Sequence, residues 1–333
     1  MEPRLKAIYI LEPEWQTRVY SAEVRAALDE AVEWVAPPQS AVSIRENLAR
    51  LRDVEVIFGG WGTARLDEAF LAAAPRLRAV FHAGGSIRYF ATDAMWARGI
   101  VVSTASALNA IPVADYTLAT VLFSLRDGWY HERGAQRSGA FLPRREIAGS
   151  YGSTVGIVSL GQIGRLVCER LRPIEVEVIA YDPFATEAEA RALGVALVGL
   201  EEMFARADVV SLHAPWLKET ENFIGGAHFA AMKPGATFIN TARGAIVNEP
   251  EMIAVLQQRP DLTAVLDVTW PEPPVAGSPL YSLPNVVLTP HIAGSVGREV
   301  ERFGRAMLGD FDAWRRGEPL KYQVTRDSAA RLA

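Results

Sequence analysis

STVGIVSLGQIGRLVCERL, running from Ser153 to Leu171, is the stretch whose reading decides the fold. It opens with an apolar run of strand length, turns on small residues, and continues with apolar positions at helical spacing. Strand, tight turn and helix in that order make the setting in which a glycine pattern becomes a phosphate site. Gly161 leaves room for a pyrophosphate to approach the backbone, and Gly164 lets helix and strand pack closely. The first helical residues, Gln162 and Ile163, offer main-chain N–H groups to the phosphates. Ser159 stands where the first glycine of the pattern belongs, so the motif is S-x-G-x-x-G. A small side chain in that turn costs about 1 kcal/mol. Asp182 ends the next apolar run, EVIAYD, about twenty residues on, where a carboxylate accepts both adenosine ribose hydroxyls. A 2′-phosphate would meet like charge there, so NAD is expected over NADP.

Outward from this stretch, strand-length runs alternate with amphipathic helical segments, the signature of parallel sheets built from βαβ units. Expected strands are Ala7–Leu11, Val32–Val35, Val54–Phe58, Leu77–His82 and Val101–Thr104, then Thr154–Ser159, Val176–Tyr181, Val209–His213, Thr237–Asn240, Ala264–Val268 and Val286–Leu288. A chain of 333 residues is long enough for two cores, and two cores imply a cleft. The fold class is therefore α/β: two doubly wound parallel-sheet domains with an interdomain cleft. A helix over Ile111–Arg126, with Pro112 in its first turn, carries the crossing between them. The helical tail after His291 has no following strand in this reading and returns to the first domain. The expected division is 1–105 with 295–333 for one domain and 106–294 for the other.

A net charge of −5 excludes a generally basic nucleic-acid surface. The apolar run Ala7–Leu11 is too short for a signal peptide or a membrane span, so no membrane partner is expected. The single Cys168 cannot form an internal disulfide and fits a cytoplasmic setting. No metal is expected.

Three strings stand at successive strand ends: INTARGAIVNEPEMIAVL from Ile239, AVLDVTWPEPP from Ala264 and VVLTPHIAGS from Val286. Ligands of open parallel sheets bind beyond the carboxyl ends of strands, and these strings carry Arg243, then Asp267 and Glu272, then His291. Residues Pro271–Pro284 hold five of the chain's 20 prolines, so Glu272 lies in an ordered loop. Together with NAIPVADYTLA (Asn109–Ala119), LHAPWLKETENFIG (Leu212–Gly225) and the helical tail, their order and spacing resemble the D-isomer-specific 2-hydroxyacid dehydrogenase family over nearly the whole chain.

The resemblance implies a Rossmann cofactor domain, a flavodoxin-like substrate domain, and NAD-dependent reduction of a small 2-keto acid to a D-2-hydroxy acid. Arg243, Glu272 and His291 form the implied catalytic set. A guanidinium presents a fixed donor fork to carboxylate and carbonyl oxygens, and an imidazolium supplies the proton. Glu272 is the implied partner that favours imidazolium and orients the ring. Thr241, Ala242 and Asp267 are implied at the nicotinamide with Gly294 close by, and His213, Pro215 and Thr220 along the cofactor. Gly84 and Gly85 match the family's carboxylate-holding loop, with Asn109 beside the substrate. The next residues, Ser86, Ile87 and Arg88, depart from the family pattern, and the departure leaves substrate size open. Arg88 is a candidate for a second anionic group. The remaining histidines, His82, His131 and His228, have no motif partners and are read as structural.

A homodimer through the cofactor domains is implied, with an arm over Trp129–Phe141. Alternatives remain: an NAD-sensing corepressor-like binder, or a phosphoglycerate, phosphite or glyoxylate-type dehydrogenase. Glu272, where a glutamine is expected in formate dehydrogenases, argues against formate oxidation.

Overall fold

Runs such as VVSL (Val209–Leu212) and TFIN (Thr237–Asn240) are buried at every position. A strand buried on both faces belongs to a parallel sheet covered by helices on each side. The computed structural model of the chain describes residues 4–145, 147 and 149–329. The strands, in chain order, are β1 Leu5–Ile10, β2 Val32–Trp34, β3 Val56–Gly59, β4 Ala79–His82, β5 Val101–Thr104, β6 Ser153–Val158, β7 Val176–Tyr181, β8 Ala196–Leu197, β9 Val209–Leu212, β10 Thr237–Asn240, β11 Thr263–Leu266, β12 Val286–Leu288 and β13 Gln323–Val324.

Two compact units form. One comprises Met1–Asn109 and Ser295–Ala333, the other Ala110–Gly294; residues 1–3 and 330–333 lie outside the described residues. The first unit holds a sheet in the order β13-β5-β4-β3-β1-β2, parallel except for β13. Its parallel part has the flavodoxin-like order 2-1-3-4-5. The second unit holds the wholly parallel order β12-β11-β10-β9-β6-β7-β8, which counted within the unit extends the Rossmann order 3-2-1-4-5-6 by one strand. In that sheet the strand order reverses between β6 and β9, placing the switch point beside the Ser153–Leu171 stretch.

Two local expectations are corrected. The helix begins at Ser106, not Ile111, so Pro112 lies inside Ser106–Ser124 rather than in its first turn. The main chain of Ala105 accepts the Leu108 and Asn109 amides and starts the helix a turn early. By length and composition this helix could cross a membrane, yet Ala114 and Val121 are fully buried in the core of the second unit. The tail also contains a strand, followed by the short helix Arg326–Ala329. Asp310, buried in helix Glu301–Arg315, accepts the Lys321 and Tyr322 amides (3.0 and 2.9 Å) and the Ser103 hydroxyl (2.6 Å). That carboxylate draws the chain along β5, where Gln323 and Val324 pair antiparallel with Ser103 and Val102.

Candidate active site

At the end of β6 the chain turns through Ser159, whose φ of 79° is left-handed. A residue with a Cβ is strained there by about 1–3 kcal/mol and stays only where its surroundings fix it. The fixing group is Asp182 at the end of β7. One carboxylate oxygen accepts the Leu160 amide (2.7 Å) and the Ser159 hydroxyl (3.3 Å), and the other accepts the Phe184 and Ala185 amides (2.8 and 3.2 Å). Gly164 lies so close to the turn that a Cβ would stand 2.0 Å from the Ser159 carbonyl oxygen. At Gly161 a Cβ would meet nothing nearer than Ser159 Oγ at 3.9 Å, and Gly161 and Gln162 are exposed. An open glycine at the N-terminus of helix Gln162–Leu171, with Ile163 and Gly164 behind it, fits a dinucleotide pyrophosphate.

Beyond β9, His213 is buried. Its Nε2 lies 3.0 Å from Ser211 Oγ, and burial pushes the ring down to about 3, so it is neutral. Thr241 Oγ1 stands 3.5 Å from the other ring nitrogen. The hydroxyl of Thr220 donates to the Pro215 carbonyl (2.6 Å) and accepts the Leu217 amide (2.8 Å), closing the loop between them.

The turn after β10 presents Arg243. Asn240, fully buried, accepts the Ala242 amide (3.0 Å) and donates to the Arg243 carbonyl (3.1 Å). Gly244 then presses on the chain after β11, since a Cβ would stand 2.0 Å from the Thr269 carbonyl carbon. The guanidinium donates to the Ala242 carbonyl (2.6 Å). Burial lowers its pKa, opposed by the Glu272 carboxylate, and an arginine so placed stays a cation.

His291 also has a left-handed backbone, φ 55°. Its amide donates to the Asp267 and Thr289 carbonyls (2.9 and 3.0 Å), while the Asp267 carboxylate accepts the Ile292 and Ala293 amides (both 2.9 Å). Gly294 follows directly. His291 Nδ1 lies 2.7 Å from Glu272 Oε1, with both side chains partly exposed, 44% and 40%. A carboxylate only accepts, so Nδ1 carries the hydrogen and Nε2 is the nitrogen that gains or gives a proton. The second unit thus brings Glu272 and His291 together, and Glu272 is close enough to Arg243 to act on its charge.

In the first unit, the Thr104 hydroxyl reaches the Gly84 and Gly85 carbonyls (both 2.9 Å). Asn109 accepts the Ser295 amide (2.9 Å), and its Nδ2 would stand 3.3 Å from a Cβ at Gly85. Ser86 Oγ accepts the Arg88 amide at 3.4 Å, and the Arg88 side chain is exposed. Ile87 points into the core instead, 2% exposed, so only its main chain is available to a ligand. His82, read from sequence as merely structural, lies directly beneath this loop. A Cβ on Gly84 would meet its Nε2 at 2.5 Å, and burial pushes the ring down to about 3.

Residues 118–293 match the family model described as "D-isomer specific 2-hydroxyacid dehydrogenase, NAD binding domain". The chain belongs to this family. Among 2-hydroxyacid dehydrogenase relatives, it is 35% identical over 283 residues to the D-3-phosphoglycerate dehydrogenase of Mycobacterium leprae, covering 84% of this chain and 52% of that one. It is 37% identical over 241 residues to the (S)-sulfolactate dehydrogenase of Chromohalobacter salexigens, covering 72% and 77%. The chain therefore spans about half the length of the phosphoglycerate dehydrogenase. Apo D-mandelate dehydrogenase from Rhodotorula graminis superposes with a TM-score of 0.82 at 26% identity, over 97% of this chain and 98% of that one. A glyoxylate reductase from Paecilomyes thermophila gives 0.80 at 26% identity, over 98% and 99%. The cofactor of this 2-hydroxyacid dehydrogenase family member is NAD.

Proposed function

We propose that the chain is an NAD-dependent dehydrogenase that reduces a small 2-keto acid to a D-2-hydroxy acid. The observation that carries this reading is the 2.7 Å contact between His291 Nδ1 and Glu272 Oε1. The carboxylate fixes the ring through Nδ1, so His291 Nε2 faces outward to give its proton to the keto oxygen and retake it in the reverse direction. Arg243 binds the substrate's oxygens as a permanent cation. Main-chain amides of Gly85 and Ser86 hold the carboxylate, with Gly84 setting the turn through its own amide bond to the His82 carbonyl (2.9 Å), Ile87 contributing main chain and Asn109 shaping the loop. NAD supplies the hydride when reduced and accepts it when oxidised.

Asp182 selects NAD by repelling a 2′-phosphate. Two of its four bonds are long, at 3.3 and 3.2 Å, which leaves acceptor capacity for ribose hydroxyls. The second unit acts as the cofactor domain and the first as the substrate domain. The arm over Trp129–Phe141 contributes to a homodimer, a reading supported by the exposure of Phe141 (98%) and of Tyr151 after it (81%). One buried thiol, Cys168, suits the cytoplasm.

Exposed Arg88 gives a preference for substrates carrying a second anionic group. Phosphoglycerate and sulfolactate, named in two relatives, are substrates of that chemical kind. A panel of 2-keto acids with and without a second anion, tested with NADH and with NADPH, examines the reading. Turnover with NADH and a bias toward dianionic substrates that Arg88→Ala narrows are expected. No turnover with any member, alongside NADH binding, would make the chain a binder instead. An unchanged ranking in Arg88→Ala would remove that residue's role alone.

A further inference from the structure

The left-handed turn at His291 is held by Asp267, and the Asp267 carboxylate is itself held by Thr289, two residues before His291, which helix Ser106–Ser124 reaches through Tyr116. Thr289 Oγ1 stands 2.6 Å from Asp267 Oδ1, and Tyr116 Oη, on helix Ser106–Ser124, stands 3.0 Å from Thr289 Oγ1. The direction of each bond follows from chemistry. A carboxylate has no hydrogen to give, so Thr289 spends its single hydrogen on Asp267, and the Tyr116 phenol must donate to Thr289. A phenol keeps its hydrogen at neutral pH, and burial raises the Tyr116 pKa further.

We propose that Tyr116 and Thr289 are positioning residues for catalysis: their hydroxyl relay orients the Asp267 carboxylate, and that carboxylate fixes the turn carrying His291. The proposal rests on the reading of His291 as proton donor. Asp267 Oδ1 takes Thr289 and Ile292 together, and Oδ2 takes Ala293. Three donors thus pin one buried carboxylate, 2% exposed, in the rotamer that meets both amides after His291. Without the Thr289 hydrogen the carboxylate keeps only the two amides of the turn it is meant to hold. The turn then loses its anchor to the helix. The Glu272 contact at 2.7 Å tolerates little movement of the imidazole, so loosening acts on turnover.

The test compares Thr289→Val, which keeps shape and removes the donor, with Thr289→Ser, which keeps the donor, and with Tyr116→Phe. Amide hydrogen exchange at Ile292 and Ala293 is followed in the cofactor-free protein, and kcat and KM in keto-acid reduction. In Thr289→Val, exchange at these two amides should quicken about tenfold while the amides of β6 stay protected. Its kcat should fall about 10- to 100-fold, the scale of a small misplacement of a reacting group, with little change in KM. Thr289→Ser should restore both readouts. Tyr116→Phe should give a smaller loss in the same direction, and none when added to Thr289→Val, because the relay is already cut.

Exchange and kcat unchanged in Thr289→Val would overturn the proposal, as would a Thr289→Ser no better than the valine variant. Faster exchange throughout the second unit would also overturn it, by making the role merely structural. If Thr289→Val fails to fold, Tyr116→Phe carries the same readouts. Failure of the underlying reading shows separately, as near-normal turnover in His291→Ala.

Discussion

Ser159 is a hydroxymethyl group in a position built for hydrogen. Its left-handed φ of 79° costs a residue with a Cβ, whereas its hydroxyl returns one long bond to Asp182 at 3.3 Å. The backbone cost, about 1–3 kcal/mol, at least matches a hydroxyl–carboxylate bond, roughly 1.5–3 kcal/mol at good geometry and weaker at this length. Ser159→Gly should therefore leave NADH affinity equal or improved, measured by fluorescence titration; a large loss would assign the hydroxyl a specific bond. Residues of this scale were unevenly legible in the sequence. Glu272 and His291 stand out through spacing and family resemblance, and the structure brings them within 2.7 Å. Asn240, Thr104 and His82 do not stand out, because what they hold is main chain: a turn at Arg243, or the glycine loop at Gly84. A string of letters does not display carbonyl and amide partners.

Among elements, the turn after β10 and the chain after β11 are pressed together at Gly244. An alanine there would place its Cβ 2.0 Å from the Thr269 main chain, and neither backbone can give. Overpacking of this kind costs about 1–3 kcal/mol, so Gly244→Ala should lower the denaturation midpoint of the second unit. It should reduce keto-acid turnover more than NADH binding, because Arg243 is the residue displaced. An unchanged midpoint with normal turnover would show that the two segments do not need their close approach. The main strands were legible as elements because short β-branched apolar runs recur between helical segments, an alternation that permits few other structures. The two-residue strands β8 and β13 were not, and β13 exists through Asp310, whose role depends on burial rather than on pattern. Pro112 does not mark the start of the helix at Ser106, because the Ala105 carbonyl opens the helix a turn earlier and main-chain bonds of this kind leave no mark in the sequence.

For the whole molecule, each unit carries one neutral buried histidine, His82 in the first and His213 in the second, both pushed down to about 3 by burial. An unfolded histidine binds a proton below about pH 6.5, while the folded ones bind only near 3. Between those values the unfolded state holds more protons, so stability declines as pH falls, at about 1.4 kcal/mol per pH unit for each histidine. His213→Asn should flatten the dependence of the second unit's denaturation midpoint between about pH 6.5 and 5, where model carboxylates are still mostly ionised. An equal slope in wild type and variant would mean that His213 is protonated in the fold. Fold class was legible at this scale because alternating runs and one strand-turn-helix motif constrain an α/β chain strongly.

The central claim is that His291 moves the proton that accompanies hydride transfer. The measurement that tests it most directly is the turnover of a 2-keto acid by NADH in His291→Ala, with NADH binding measured alongside and the chemical step isolated by a deuteride isotope effect. A positioned acid contributes about 10²- to 10⁴-fold, so kcat should fall by at least that lower bound while NADH affinity changes little. In the unmodified protein, reduction should decline and hydroxy-acid oxidation should rise over one shared pH interval, and both dependences should vanish in the variant. Near-normal turnover in His291→Ala, with its pH dependence intact, would contradict the account.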